Sequence, residues 1–579
     1  QSPKTRPVPA ASPSTSPAAT PDAAEPLRAA RPVSDVPLAP RALALLTPAR
    51  VGIAFILLVA LARFGYLALR SPYTLAEDEA HYWEWSRNLG WSYYSKGPGV
   101  AYAIAAATRL FGDVEWAVRL PAVLFGALGA LFTLLLTRDL FRGHALARPA
   151  SSLAGVLFVL VPAFALASFL MTIDGPYIAC FAAACAAAWR ALRMRSRLAW
   201  PALALALGVG FLFKYTILLL PLGLAAYALL DRRNLRLAPR PLPWIALALL
   251  LLGLCSAPVV VFNAQHDWDT VRHLLGHLGV EGGDVALAPE ETAPAYAPSW
   301  TLEYVALQHV VAGPALALAI LGAVALARAG RRDAAQDADR PEQAPSVLRF
   351  CIAASASVYA FYLGVTLFTR AEANWAIAGM VPLLPLAAYA GVLSLRLRRP
   401  LLRALLNFAL VIGVLTNLAF PGAPLLARLP LVGDAVPLDR LTGLRPVAAA
   451  AADLGARLRE QTGREPIYMS AHYGRASQLA FYLPDHPTTY AAGHMFGGRR
   501  TQYDVWEHTD LSNPDVLARL EGRPAVLFGK NPDLWTIYFD RVEQVPDLPG
   551  EPQPHRNVYI AYGFHAPREG SAPETEAAP

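Results

Sequence analysis

Three carboxylates and a handful of cations are the residues best placed by type and spacing to do chemistry in this 579-residue chain. Asp78 and Glu79 stand together in YTLAEDEAHYWEW, directly after Val51 to Leu69, an apolar run long enough to cross a bilayer. Asp174 stands in MTIDGP, at the end of another apolar run. Taken singly, each has a structural explanation: acids complement a helix N-terminus, and Asp174 could cap a helix ahead of Pro176. Two carboxylate sites at one membrane edge favour function, because ionisable groups are expensive to hold there. With fixed cations close by, the chemistry suited to such a place is holding a lipid-linked phosphate and stabilising it as it departs.

The candidate cations are Lys96 in YYSKGPG, Lys214 in LFKYT and Arg272 in a later polar loop. A lysine beside a membrane can simply snorkel towards headgroups, but Lys214 falls between two apolar segments and needs a partner. His266, His273 and His277 share the loop with Arg272. His273 and His277 lie on one helical face at a spacing zinc can use, so a divalent metal is one reading. They lack a nearby third ligand, and a histidine hydrogen-bonded to donor phosphate or acceptor is the other. Asn374 and Trp375 form either an interface anchor or a pocket wall. Tyr82, Trp83, Trp85, Trp91, Tyr93 and Tyr94, between the acids and Lys96, are aromatic types that favour the membrane–water interface.

The elements that must position these residues are membrane helices. The chain is 55% hydrophobic and only 16% charged, too apolar for a soluble domain. Apolar segments fall near 51–69, 115–137, 150–170, 175–192, 199–213, 215–230, 242–262, 302–327, 349–368, 375–395 and 401–420. This predicts an all-α polytopic membrane protein of about 11 spans, residues 50–420. Residues 1–49, rich in Pro, Ala, Ser and Thr, are expected to be a disordered cytoplasmic segment, and no cleavable signal peptide is evident. Residues 421–566 read as a small extracytoplasmic α/β domain, with an amphipathic helix at 446–462, a short helix at 475–482, and strands at 467–470, 488–492 and 524–529. Residues 567–579 read as a loose tail. Cys180, Cys185, Cys255 and Cys351 all lie in apolar runs and read as small buried hydrophobes.

Arginine placement sets the orientation. With the N-terminus cytoplasmic, the inner loops carry Arg138, Arg142 and Arg148; Arg190, Arg193, Arg195 and Arg197; and Arg232, Arg233, Arg236 and Arg240. They continue with Arg328, Arg331, Arg332, Arg340 and Arg349, then Arg396, Arg398, Arg399 and Arg403. The outer loops hold Glu77, Asp78, Glu79, Glu84, Asp174, Asp267, Asp269, Glu281 and Asp284. The candidate carboxylates are thus expected on the outer side of the membrane.

The ordered series DE (Asp78, Glu79), YYSKGP, GDVEWAVRLPAVL, TIDGP, FLFKYT, FNAQHDW, AEANW, YGRASQLAFYLP and RRTQYDVW resembles the bacterial relatives of the dolichyl-phosphate-mannose protein mannosyltransferases, glycosyltransferase family 39. The resemblance runs from about residue 51 to past residue 506. It implies the GT-C fold and inverting transfer of a sugar from a polyprenyl-phosphate donor to lipid A, a cell-envelope glycan or a protein. By position, Asp78 resembles the catalytic base with Glu79 beside it, and Asp174 the second essential carboxylate. Lys96 resembles the phosphate-contacting lysine of the aminoarabinose branch, where many relatives have histidine. In that branch an acid that can help hold a metal precedes the lysine; here it is Ser95. His277 matches the family's outer-loop histidine. Donor, acceptor and membrane lipids are the partners implied, and no nucleic acid. The rival readings are a polytopic lipid or glycan transporter or flippase, and a non-catalytic glycan-assembly protein. Against the first, no span pattern repeats, and the charges gather at one face and not mid-span.

Overall fold

The computed structural model describes residues 49–277, 296–333, 343–430, 436, 438–529, 531–545 and 557–566. The N-terminal segment, the tail, Glu281, Asp284 and Arg340 lie outside the described residues, and of His277 only the backbone is described.

The first helix, α1 (Ala49–Leu69), leads through an extended stretch into α2 (Glu77–Arg87), and a glycine-rich loop carrying Lys96 leads into α3 (Gly99–Phe111). There follow α4 (Glu115–Leu140), α5 (Ala147–Leu160), the single turn α6 (Pro162–Leu166), α7 (Asp174–Arg193), α8 (Ala199–Phe213), α9 (Leu219–Leu230) and α10 (Leu242–Gln265). After α11 (Asp269–His277) come α12 (Pro298–Ala312), α13 (Ala315–Asp333), α14 (Gln343–Val365), α15 (Leu384–Arg396) and α16 (Pro400–Leu426).

Among the described residues seven helices are long and apolar enough to cross a membrane, one of them running Ile377–Arg396 through a 3-10 turn into α15; four shorter apolar helices join them, and α12 and α13 form a pair bent by 93°. This is an integral membrane protein. The expected single span at 302–327 is therefore broken, at Gly313, whose φ of 61° suits glycine, and Pro314. The apolar helix α3 was not among the expected segments.

Alanine-rich α7 is buried along nearly its whole length, at the centre, and packs against α4 and α8; α1, α10 and α16 lie outside with leucines exposed. Without a hydrophobic drive between helices in lipid, small residues that permit close approach hold such a bundle together. All four cysteines are free; Cys180, Cys185 and Cys351 are buried and Cys255 half-buried.

The C-terminal region is an α/β unit. After α17 (Leu438–Thr442) and α18 (Leu444–Thr462), strand β1 (Ile467–Ser470) leads into α19 (Tyr473–Tyr482) and back to β2 (Thr489–Ala491). The sheet is completed by β3 (Ala525–Phe528), β4 (Phe539–Gln544) and β5 (Val558–Phe564), in the order β2-β1-β3-β5-β4. β1 is parallel to β2 and β3, whereas β5 is antiparallel to β3 and β4.

This unit sits directly on α2. Thr74 N–H donates to the Leu441 carbonyl at 2.8 Å, Leu75 N–H to the Tyr482 hydroxyl at 2.7 Å, and Gln478 to the Leu75 carbonyl at 2.9 Å. The aromatic loop is consequently not an interface belt. Tyr82, Trp83, Trp85, Tyr93 and Tyr94 are buried under α19 and α11, and Trp91 is exposed. Trp83 packs edge-on against Phe481 at 4.8 Å and donates its indole N–H to Asp113 at 2.6 Å. Trp83→Ala should therefore lower stability by about 3–5 kcal/mol, read as a drop in Tm of the purified protein in detergent.

Candidate active site

Neighbouring residues on a helix are about 100° apart, so Asp78 and Glu79 cannot face the same way. Glu79 is fully buried. Its Oε1 accepts from Arg119 Nε at 2.9 Å and from Met171 N–H at 2.9 Å; its Oε2 accepts from Arg119 Nη2 at 2.7 Å and from Ala76 N–H at 3.0 Å. Arg119, on α4, also donates to the carbonyls of Tyr73 and Thr74 at 3.1 and 2.8 Å. The pair thus ties α2 to α4 and to the segment that ends at Asp174. Arg119 lies within the GDVEWAVRLPAVL motif, but nothing in the sequence marks it as the partner of Glu79.

Asp174 opens α7. Its Oδ1 lies 2.8 Å from Lys214 Nζ, and its Oδ2 accepts from Asn374 Nδ2 at 2.8 Å. Lys214 also stands 5.4 Å over the Tyr177 ring. The partner Lys214 requires is therefore Asp174, and Asn374 is a wall of the same recess. Lys96 reaches this place because its loop lies against the end of α8: a Cβ on Gly97 or Gly99 would strike the Leu212 carbonyl.

Asp78 is the exception among the three acids. Its side chain remains accessible, in a recess walled by protein, and its Oδ1 accepts one hydrogen bond from the Tyr473 hydroxyl, at 3.3 Å. No described residue donates to Oδ2. Burial raises its carboxyl above the ordinary aspartate range, Lys96 and the Tyr473 hydroxyl oppose that, and Glu77 reinforces it. Lys96 is pushed below the usual lysine range by burial and by Lys214, and pulled back up by both Asp78 and Asp174. Tyr82 likewise feels both carboxylates. Asp78, Asp174, Lys96 and Lys214 therefore share one electrostatic environment.

Two candidates stand further off. Arg272 is exposed on α11, whose Thr270 donates to the Tyr93 carbonyl at 3.3 Å; buried His273 packs against the Tyr94 ring at 5.2 Å. Among the described residues, no group of three or more His, Cys, Asp or Glu gathers as a metal site.

The residues sequence reading missed come mostly from the C-terminal unit. Besides Tyr473, Tyr94 N–H donates to Gln502 at 2.7 Å, and Arg500 pairs with Asp269 at 3.3 Å, so the segment before Asp504 covers the Lys96 loop. Buried His81 bridges the two parts, its Nδ1 2.9 Å from the Ser477 hydroxyl and its Nε2 accepting from the Trp85 indole at 3.1 Å.

Comparisons with known proteins agree with this architecture. The family model described as dolichyl-phosphate-mannose-protein mannosyltransferase matches residues 95–262. The lipid A galacturonosyltransferase RgtD of Rhizobium johnstonii is 31% identical over 383 residues, covering 65% of this chain and 72% of its own length. Crystal structures of ArnT from Cupriavidus metallidurans are similar in fold. The apo form has a TM-score of 0.56 at 17% identity, covering 88% of this chain and 97% of that one. The form bound to undecaprenyl phosphate has a TM-score of 0.57 at 16% identity, with the same coverage. The chain belongs to the GT-C glycosyltransferases of the family 39 type. It is a glycosyltransferase, and the transporter reading is set aside.

His81 supplies a pH test of the docking. Burial first, then the charges of His472 and Arg499, push its imidazole down to about 3, so the folded protein holds it neutral. A depressed histidine contributes stability that is present above its unfolded pKa and is lost as pH falls through the folded value. Stability should decline as pH falls from about 6.5, the unfolded value, towards about 3. His81→Gln should flatten that slope in pH-dependent unfolding followed by tryptophan fluorescence.

Proposed function

We propose that this enzyme transfers a sugar from a polyprenyl-phosphate donor to lipid A at the extracytoplasmic face of the bacterial inner membrane, in one inverting step with Asp78 as general base. The carrying observation is the asymmetry of the three acids: Glu79 and Asp174 have both oxygens committed to fixed partners, while Asp78 Oδ2 is open in an accessible recess. The relative RgtD is named for transfer of galacturonic acid to lipid A, which supports the acceptor class and makes galacturonic acid the first sugar to test. The distribution of arginines supports the orientation.

In this reading an acceptor hydroxyl attacks the anomeric carbon and passes its proton to Asp78 Oδ2. The bond from that carbon to the phosphate oxygen breaks, and its electron pair leaves with the polyprenyl phosphate. A phosphate monoester is a good leaving group, so no acid need protonate it. Lys96 receives the departing charge; nearby Asp78 and Asp174 help keep it a cation. Asp174, neutralised by Lys214 and oriented by Asn374, is a positioning group for acceptor or base.

Asp78→Asn should cut transfer by at least about 10²–10⁴-fold with Tm unchanged, measured as labelled sugar reaching lipid A in a reconstituted assay. Wild-type turnover in that variant would remove Asp78 from the role. Lys96→Met should raise the apparent KM for donor about tenfold or more, with acceptor KM within about twofold. An unchanged donor KM would reassign the phosphate to other cations.

A further inference from the structure

The N-terminus of α19 meets the N-terminus of α2 at the level of Asp78. Gly474 makes this approach possible, because a Cβ there would come within 2.5 Å of the Glu77 Cβ. The turn is capped by His472, whose Nδ1 accepts from Gly474 N–H at 3.2 Å. The contact delivers the Tyr473 hydroxyl to Asp78 Oδ1 at 3.3 Å. The Tyr473 ring is braced against His81, at 4.7 Å between centroids, and His81 is held in turn by Ser477. The hydroxyl is therefore fixed from both helices.

We propose that the C-terminal α/β unit is a working part of the active site, and that Tyr473 is the positioning residue that holds Asp78 Oδ1 and so presents Oδ2 to the acceptor hydroxyl. The inference rests on Asp78 being the base. A hydroxyl that donates to a carboxylate stabilises its charged form, offsetting the burial that favours the protonated one. The other ionisable groups acting on Asp78 are Lys96 from the loop before α3, Glu77 on α2 and His472 before α19. Burial and the Asp78 charge hold the Tyr473 hydroxyl up to about 12, so it remains a donor across the working range of the enzyme. Docking of α19 thus sets both the direction and the basicity of Asp78, and a bundle without its C-terminal unit would keep the carboxylate but lose its orientation.

The test is Tyr473→Phe in the full chain, reconstituted in nanodiscs, with polyprenyl-phosphate galacturonic acid and lipid A as probes. Loss of the donated hydrogen bond raises the Asp78 pKa, so the acid limb of kcat/KM against pH should move up by about one unit. The KM for donor should stay within about twofold and Tm should not change, since the ring still packs on His81. A profile superimposable on that of the wild type would overturn the proposal, as would a uniform loss at every pH with a lowered Tm, which marks a merely structural role. Should Tyr473→Phe fail to fold, Gly474→Ala displaces the same hydroxyl by pushing α19 off α2, and must give the same upward shift. Asp78→Asn separates the two levels. Retained turnover in that variant sinks the base assignment, whereas an inactive Asp78→Asn with an unshifted Tyr473→Phe profile sinks only the role of Tyr473.

Discussion

The buried pair of Glu79 and Arg119 is the interaction on which the site depends. Taking two charges out of water costs several kcal/mol per ion, and their attraction offsets this only when geometry is good and the remaining lone pairs and protons are satisfied. Here each Glu79 oxygen takes two donors, and Arg119 spends what is left on the carbonyls of Tyr73 and Thr74. Because Met171 N–H shares Oε1 with the guanidinium, the chain entering α7 is registered against α2. One carboxylate therefore sets the relation between Asp78, its neighbour in sequence, and Asp174, which follows Met171 by three residues.

With Glu79 spent on architecture, the remaining acids divide by their compensation. Asp174 has a lysine on one oxygen and an amide on the other. Asp78 has a hydroxyl on one oxygen and no fixed partner among the described residues on the other, with Lys96, Glu77 and His472 acting on it only through space. An acid that is ion-paired and doubly hydrogen-bonded is a poor proton acceptor and a good fixed charge; one left open is the reverse. The recess joins both kinds with Lys96, the lysine that in the proposed mechanism receives the charge of the leaving phosphate.

Much of the frame was legible in the sequence. Runs of about twenty apolar residues gave the helix bundle, and the β-rich alternation after residue 466 gave β1, β2 and β3. The edge of the sheet, β4 and β5, was missed, and so were α3 and the bend between α12 and α13, where a glycine and proline break an otherwise continuous run. Asp78, Asp174 and Lys96 stood out because charges beside apolar runs are conspicuous. Their separate jobs did not, because Glu79–Arg119, Asp174–Lys214 and Asp78–Tyr473 join residues 40 to 395 positions apart, and no local period encodes such pairings. The aromatic loop was misread for the same reason: tryptophans that suit a lipid interface suit equally a contact that another unit will cover.

The central claim is that Asp78 takes a proton and never bonds to the sugar. The most direct measurement is the anomeric configuration of the product against that of the donor, by NMR of the first turnover. Attack by the acceptor in one displacement, with Asp78 as base, predicts inversion. Retention would contradict the account, since it requires a carboxylate to form a covalent bond to the anomeric carbon.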